Sequence, residues 1–129
     1  MIARPLRVRR PFEFERVRRQ GRSWSTPLVV LAVLPNDLGH NRYGFAVGRR
    51  IGKAVARNRV KRRLREAVRD LHPGLRQGYD VVVVARGPLA NLAVSQAEVA
   101  QALDQLTERA KLRRDGGRHP SRPLRDSTA

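Results

Sequence analysis

The apolar positions of the chain change their period several times, and each change marks an element. Residues 1 to 10 are basic and follow no period, so they read as an irregular arm. Pro11 stands where a first helical position tolerates a missing N–H, and Glu13 and Glu15 complement the positive end of a helix dipole. A short helix is predicted from 11 to 20, with Gly21 ending it just past the last turn. Ser23 to Thr26 predicts a short strand. After Pro27, the run Leu28 to Leu34 (LVVLAVL) is branched and long enough for a buried strand. Pro35, Asn36, Asp37 and Gly39 make a turn, and from Arg42 to Val47 the residues Tyr43, Phe45 and Val47 alternate with smaller or charged ones. The two runs are expected to pair as an antiparallel hairpin.

From Ala54 to Leu71 the period becomes helical, with Val60, Leu64, Ala67, Val68 and Leu71 on one stripe. His72, Pro73 and Gly74 stop that helix. Tyr79 to Ala85 (YDVVVVA) is a near-continuous branched run, expected to be buried on both faces and parallel to the strand at 42 to 47. Gly87 and Pro88 end it. Ser95 and Glu98 form a capping box that opens a helix carrying Val99, Leu103, Leu106 and Ala110. The order α, two or three β, α, β, α describes one α+β domain over 11 to 112, preceded by the basic arm 1 to 10. Residues 113 to 129 show no period and read as a disordered basic tail.

Charge changes the picture more than hydropathy does. The 129 residues hold 28 Lys or Arg against 11 Asp or Glu, a net charge of +17, which self-repels and calls for a polyanionic partner such as nucleic acid. Lys53, Lys61 and Lys111 are the only lysines, so the basic groups are mostly forks suited to phosphates and bases. The absence of cysteine excludes disulfides, thiolate zinc sites and a cysteine nucleophile. No apolar run has the length of a signal peptide or a membrane span, so a cytoplasmic protein without membrane contact is expected.

The charge is densest at 49 to 65, RRIGKAVARNRVKRRLR, with nine basic residues and no acid. On a helical wheel Asn58, Lys61, Arg62, Arg65 and Arg69 share an arc beside the apolar stripe, where they can face one ligand. Arg59 and Arg63 point farther round. Arg57 falls near the apolar edge, and either reaches out along its stem or marks an irregular first turn. A merely solvated face usually mixes signs, and Glu66 is the only acid between Arg42 and Arg69.

The stretch Arg42 to Glu66, RYGFAVGRRIGKAVARNRVKRRLRE, resembles the signature of the protein subunit of bacterial ribonuclease P, in the Arg57-Asn58-Arg59 triplet, the basic pair before it and the basic helix after it. The resemblance runs more loosely from Leu6 to about Leu112. It implies an αβββαβα two-layer sandwich of the ribosomal S5 domain 2 type, with a small mixed sheet and an unusual left-handed β-α-β crossover. General chain rules alone favour the right-handed crossover. It also implies a holoenzyme in which a catalytic RNA, holding Mg2+ mainly by itself, removes the 5′ leader of precursor tRNA while the protein assists.

By the same resemblance, Arg49, Arg50, Lys53, Arg57, Asn58, Arg59, Lys61, Arg62 and Arg65 form the RNA-binding surface, and the wheel adds Arg69 to it. Asn58 there satisfies a helix start or a sugar hydroxyl. Phe14 and Arg18 line a cleft for the single-stranded leader. Arg18 stands where relatives often carry a second aromatic, and Ala32 where some carry Tyr, so the cleft is expected to use more charge and less stacking. For Phe14 a plain core contact with Val17 is the competing role. No catalytic or metal residue and no obligate protein partner are expected. His40, His72 and His119 are scattered beside turn residues without ligand spacing. A small basic ribosomal protein is the alternative of a different class. A helix-turn-helix regulator lacks a second helix joined by a short turn, and a free-standing nuclease lacks a visible catalytic constellation.

Overall fold

The computed structural model describes residues 7, 8 and 10–114. Helix α1 (Pro11–Gln20) opens with Pro11 in its first turn, and the Arg10 N–H donates to Glu13 Oε1 at 3.2 Å, so one early carboxylate satisfies an otherwise orphaned donor. Strands β1 (Arg22–Ser25), β2 (Val29–Pro35) and β3 (Arg42–Ala46) follow, then α2 (Ala54–Leu71), β4 (Tyr79–Ala85) and α3 (Gln96–Arg109). Both halves of the capping box form at α3: Glu98 N–H donates to Ser95 Oγ, and Ser95 N–H to Glu98 Oε1.

Gly21 ends α1 for a reason other than the one its position suggests. Its backbone is extended, with φ −84°, and a Cβ there would lie 2.5 Å from the Val33 carbonyl oxygen and 2.6 Å from that of Val17. The glycine permits a close approach of α1 to β2, not a left-handed turn.

The sheet order is β1-β2-β4-β3, with β1–β2 and β2–β4 antiparallel and β3–β4 parallel. The expected hairpin between β2 and β3 therefore does not form. β4 lies between them, and the loop 36–41 straddles its beginning. Asn36 N–H donates to the Gly78 carbonyl at 2.9 Å, and Tyr79 N–H donates to Asn41 Oδ1 at 2.9 Å. Physically, β4 is buried from Asp80 to Val83 and needs a hydrogen-bonded neighbour on each edge, which the central position supplies. The crossover α2 returns the chain so that β4 runs parallel to β3, as expected.

Alternation along the strands divides the apolar residues between two faces. Val29, Leu31, Val33, Tyr43, Val81 and Val83 join Val60, Leu64, Leu103 and Leu106 in the main core, so α2 and α3 cover one face. The other face carries Ala32 and Val82 under Val17, the one fully buried residue of α1, with Phe14, Leu34 and Val84 around them. α1 covers only part of this face.

Residues 7, 8, 113 and 114 are better tied than their aperiodic composition suggests. Val8 is buried and its N–H donates to the Tyr43 carbonyl at 2.8 Å, while Arg7 bridges Tyr43 in parallel sense, lengthening the sheet at the β3 edge. Arg113 bridges Leu75 and pairs with Asp104 at 2.6 Å, and Arg76 N–H donates to the Leu112 carbonyl. The expectation of disorder at 115 to 129 lies outside the described residues.

Candidate nucleic-acid interface

The basic surface begins at the turn after β3. Arg49 and Arg50 are exposed on a single 3-10 turn whose Ile51 is buried, and Gly52 follows at φ 141°, a conformation open to glycine. The Gly52 carbonyl accepts from Arg57 Nη1 at 3.0 Å. Arg57 thus closes the irregular start of α2, and its side chain is half-buried. Lys53 is the residue preceding the helix and gives no side-chain cap. Asn58 lies in the second turn and is exposed, so it does not serve the helix start; this corrects one of its two expected roles. Arg59 and Arg62 are exposed, and Arg69 approaches Glu66 at 4.0 Å with both side chains half exposed.

Lys61 and Arg65 face the β3 edge. There they line a groove of about 150 Å³ with Phe14, Phe45, Arg7 and Gly44, and the Arg65 guanidinium lies 6.0 Å from the Phe45 ring centre. The opposite flank of α2 meets α3. Arg63 Nε donates to Gln96 Oε1 at 3.2 Å and Nη2 to the Val94 carbonyl, while Gln96 Nε2 donates to the Arg63 carbonyl. One arginine of the run is therefore spent on packing, as its place off the basic arc implies.

Phe14 and Arg18 share α1 but not a groove. Phe14 rests on Gly44 beside Lys61 and Arg65. Arg18 lines a second, larger groove of about 590 Å³ with Arg49, Arg50 and Arg86, over Val84. Arg86 is a lining residue of this groove that sequence reasoning did not single out. Its signal was that β3 is followed by Gly48-Arg49-Arg50 and β4 by Arg86-Gly87, and parallel neighbours end side by side.

A model of the family described as Ribonuclease P matches residues 2–111. The chain belongs to the ribonuclease P protein family. A ribonuclease P protein component of Roseiflexus castenholzii is 44% identical over 110 residues, covering 84% of this chain and 88% of its own. That of Symbiobacterium thermophilum is 49% identical over 107 residues, covering 82% and 91%. Among solved structures, the ribonuclease P protein of Staphylococcus aureus superposes with a TM-score of 0.74 at 27% identity, covering 83% of this chain and 96% of that one. That of Thermotoga maritima gives 0.74 at 30%, covering 80% and 96%. The chain is a protein subunit of ribonuclease P, an endoribonuclease of tRNA processing, and the structural ribosomal alternative is not favoured.

Asp80 and Glu13 are committed to arginines. Asp80 is fully buried and accepts from Arg42 Nε at 2.9 Å, Arg42 Nη2 at 2.8 Å and Asn36 Nδ2 at 2.9 Å, with Arg16 Nη2 at 3.4 Å. Burial alone would raise the Asp80 carboxyl. The hydrogen bonds of Arg42 and Asn36 and the charges of Arg42 and Arg16 outweigh it and hold the group below the usual carboxylate range. Glu13 Oε2 accepts from Arg42 Nη1 at 3.3 Å. Among the described residues no three His, Cys, Asp or Glu gather into a group fit for a metal ion. This donor set does not suit a hard divalent cation, which takes several oxygen ligands. His72 Nδ1 lies 2.6 Å from the Tyr43 hydroxyl, and His119 is outside the described residues. No helix of the described residues is long and apolar enough to cross a membrane.

Proposed function

We propose that the chain binds the catalytic RNA of ribonuclease P through Arg49, Arg50, Lys53, Arg57, Asn58, Arg59, Lys61, Arg62, Arg65 and Arg69. It holds the single-stranded 5′ leader of precursor tRNA in the grooves beside α1, one at Phe14 and the other at Arg18. The RNA cleaves the phosphodiester with Mg2+ that it holds itself, and the protein supplies positive charge and substrate grip in the cytoplasm. The supporting observation is the groove at the β3 edge, where Phe14 of α1 meets Lys61 and Arg65 of α2. A strand lying along α1 there adjoins RNA bound to α2. Arginine forks suit the phosphates, and neutralising them releases counterions that favour binding.

The test is reconstitution of the full chain with a bacterial ribonuclease P RNA and assay of precursor tRNA cleavage at low magnesium. Acceleration by the protein, with none from the protein alone, is the expected result. Metal-dependent cleavage by rigorously purified protein without RNA would overturn it.

A further inference from the structure

The sheet has two edges, and the described residues cover one of them. Arg7 bridges Tyr43 and Val8 N–H donates to the Tyr43 carbonyl beside β3, whereas among the described residues no strand or bridge lies beyond β1. Three interstrand spacings, about 14 Å, separate the two edges, so a strand seated at β3 does not also lie along β1.

Strand β1 reads Arg22-Ser23-Trp24-Ser25. Trp24 is the sole tryptophan; it packs against the core that α2 and α3 cover and stays partly exposed. The Arg22 guanidinium lies over its ring, 5.4 Å from the ring centre. Arg109, from the last turn of α3, donates from Nη1 to the Ser25 carbonyl at 3.2 Å. Both arginines are exposed, and among the described residues no carboxylate pairs with either. Residues 22 and 25 lie about 10 Å apart along an extended strand, so a cation stands at each end of β1. Neither groove beside α1 is lined by Arg22, Trp24 or Arg109.

A cation on an edge strand also guards against edge-to-edge pairing of two copies. A guanidinium stacked on an indole, with a second fork at the far end of the strand, offers more. It presents a flat cationic surface on which a nucleobase stacks and a fork that matches a phosphate. A chain of net charge +17 with cations at both edges of its sheet fits a polyanion that reaches round it, as a large folded RNA does and a short leader does not.

We infer that the outer edge of β1 is a second contact for the catalytic RNA, in which an unpaired nucleobase stacks on the Arg22–Trp24 pair and a phosphate meets Arg109. The inference rests on the proposal that the catalytic RNA is the partner of α2, and adds a separate segment of that RNA at the opposite edge of the sheet.

The chain has no cysteine, so Ser23→Cys gives a single attachment point for iron-EDTA on exposed β1, and Asn58→Cys gives one on α2. In the full chain reconstituted with a bacterial ribonuclease P RNA and precursor tRNA, the reagent at residue 23 should cut a segment of the catalytic RNA that the reagent at residue 58 leaves intact. Arg22→Ala with Arg109→Ala should lower affinity for the catalytic RNA about tenfold, the scale of one charged hydrogen bond. The log-log salt slope should be shallower by up to about 0.7 per lost contact, the single-strand value. Emission of Trp24 should fall when the catalytic RNA is added without tRNA. Cutting from residue 23 that is confined to the leader, or absent while residue 58 cuts, overturns the second contact and leaves the α2 reading standing. A double variant that binds the RNA as the parent does but self-associates also overturns it, and assigns Arg22 to guarding the edge. Absence of cutting from both positions, in a chain that binds the RNA, overturns both readings.

Discussion

The ring of Phe14 lies directly on the α-carbon of Gly44, so closely that a Cβ at residue 44 would sit 2.7 Å from ring atoms Cε2 and Cζ. The contact seats α1 against β3, and Val8 closes over the same spot, 2.9 Å from the same Cβ position. Most of the ring is therefore engaged in packing, and its remainder faces Lys61 and Arg65 across the groove.

Phe14→Ala is expected to lower stability by roughly 2 to 3 kcal/mol, somewhat below the range for a fully buried phenylalanine. Precursor affinity should fall with it as α1 loses its seat. Phe14→Leu should recover melting temperature and precursor affinity together. Recovery of melting without affinity would assign a stacked base to the ring instead.

Asp80→Asn removes the buried charge that Arg42 faces, and should cost about 3 to 5 kcal/mol, the scale for breaking one side of a buried pair. The parent's acid sensitivity follows from the same carboxylate. Its folded pKa is depressed, so the unfolded chain takes up the proton first, and the stabilisation present above about pH 4 is lost as pH falls through and below that value. Urea midpoints between pH 6 and 3 should drop in the parent and change less in the variant.

His72 titrates in a separate window. Burial, and then the charge of Arg114, hold its pKa below the ordinary histidine value, while burial pushes the Tyr43 phenol up to about 12 and keeps it a neutral donor. The unfolded chain therefore protonates His72 first, and stability should decline as pH falls through about 6.5. Replacing His72 with Gln should flatten the dependence of the urea midpoint between pH 7.5 and 5.5. An unaltered slope would reject the assignment.

Two arginine substitutions separate binding from packing on one helix. Arg62→Ala with Arg65→Ala should weaken association with the catalytic RNA and make its salt slope shallower by up to about 0.9 per lost contact, the duplex DNA value. The fold should persist, since Arg62 is exposed and the Arg65 guanidinium lies over the Phe45 ring at 6.0 Å, a weak cation–π contact. Arg63→Ala should do the reverse, lowering melting temperature through its lost bonds to Gln96 and Val94 while RNA affinity holds. Thermal melts and RNA titrations on both variants decide it.

Local pattern alone determined the elements of this protein and the chemistry of its surface. The apolar stripe of Val60, Leu64, Ala67 and Val68, the branched run of β4 and the capping box at Ser95 are each written within a few residues of one another, where period and turn chemistry act directly. The basic run at 49 to 65 was legible for the same reason, as was the placing of Arg63 off its basic arc.

Tertiary structure decided what depends on residues far apart in the chain. The insertion of β4 between β2 and β3 reflects the demand of a buried strand for two hydrogen-bonded edges, which outweighs the tendency of successive strands to pair. That single choice brings Asp80 beneath Arg42, lays Gly44 under Phe14 and sets Arg86 beside Arg49. None of these pairs has a local signature, because each is made by the packing of strands and helices whose order in space differs from their order in sequence.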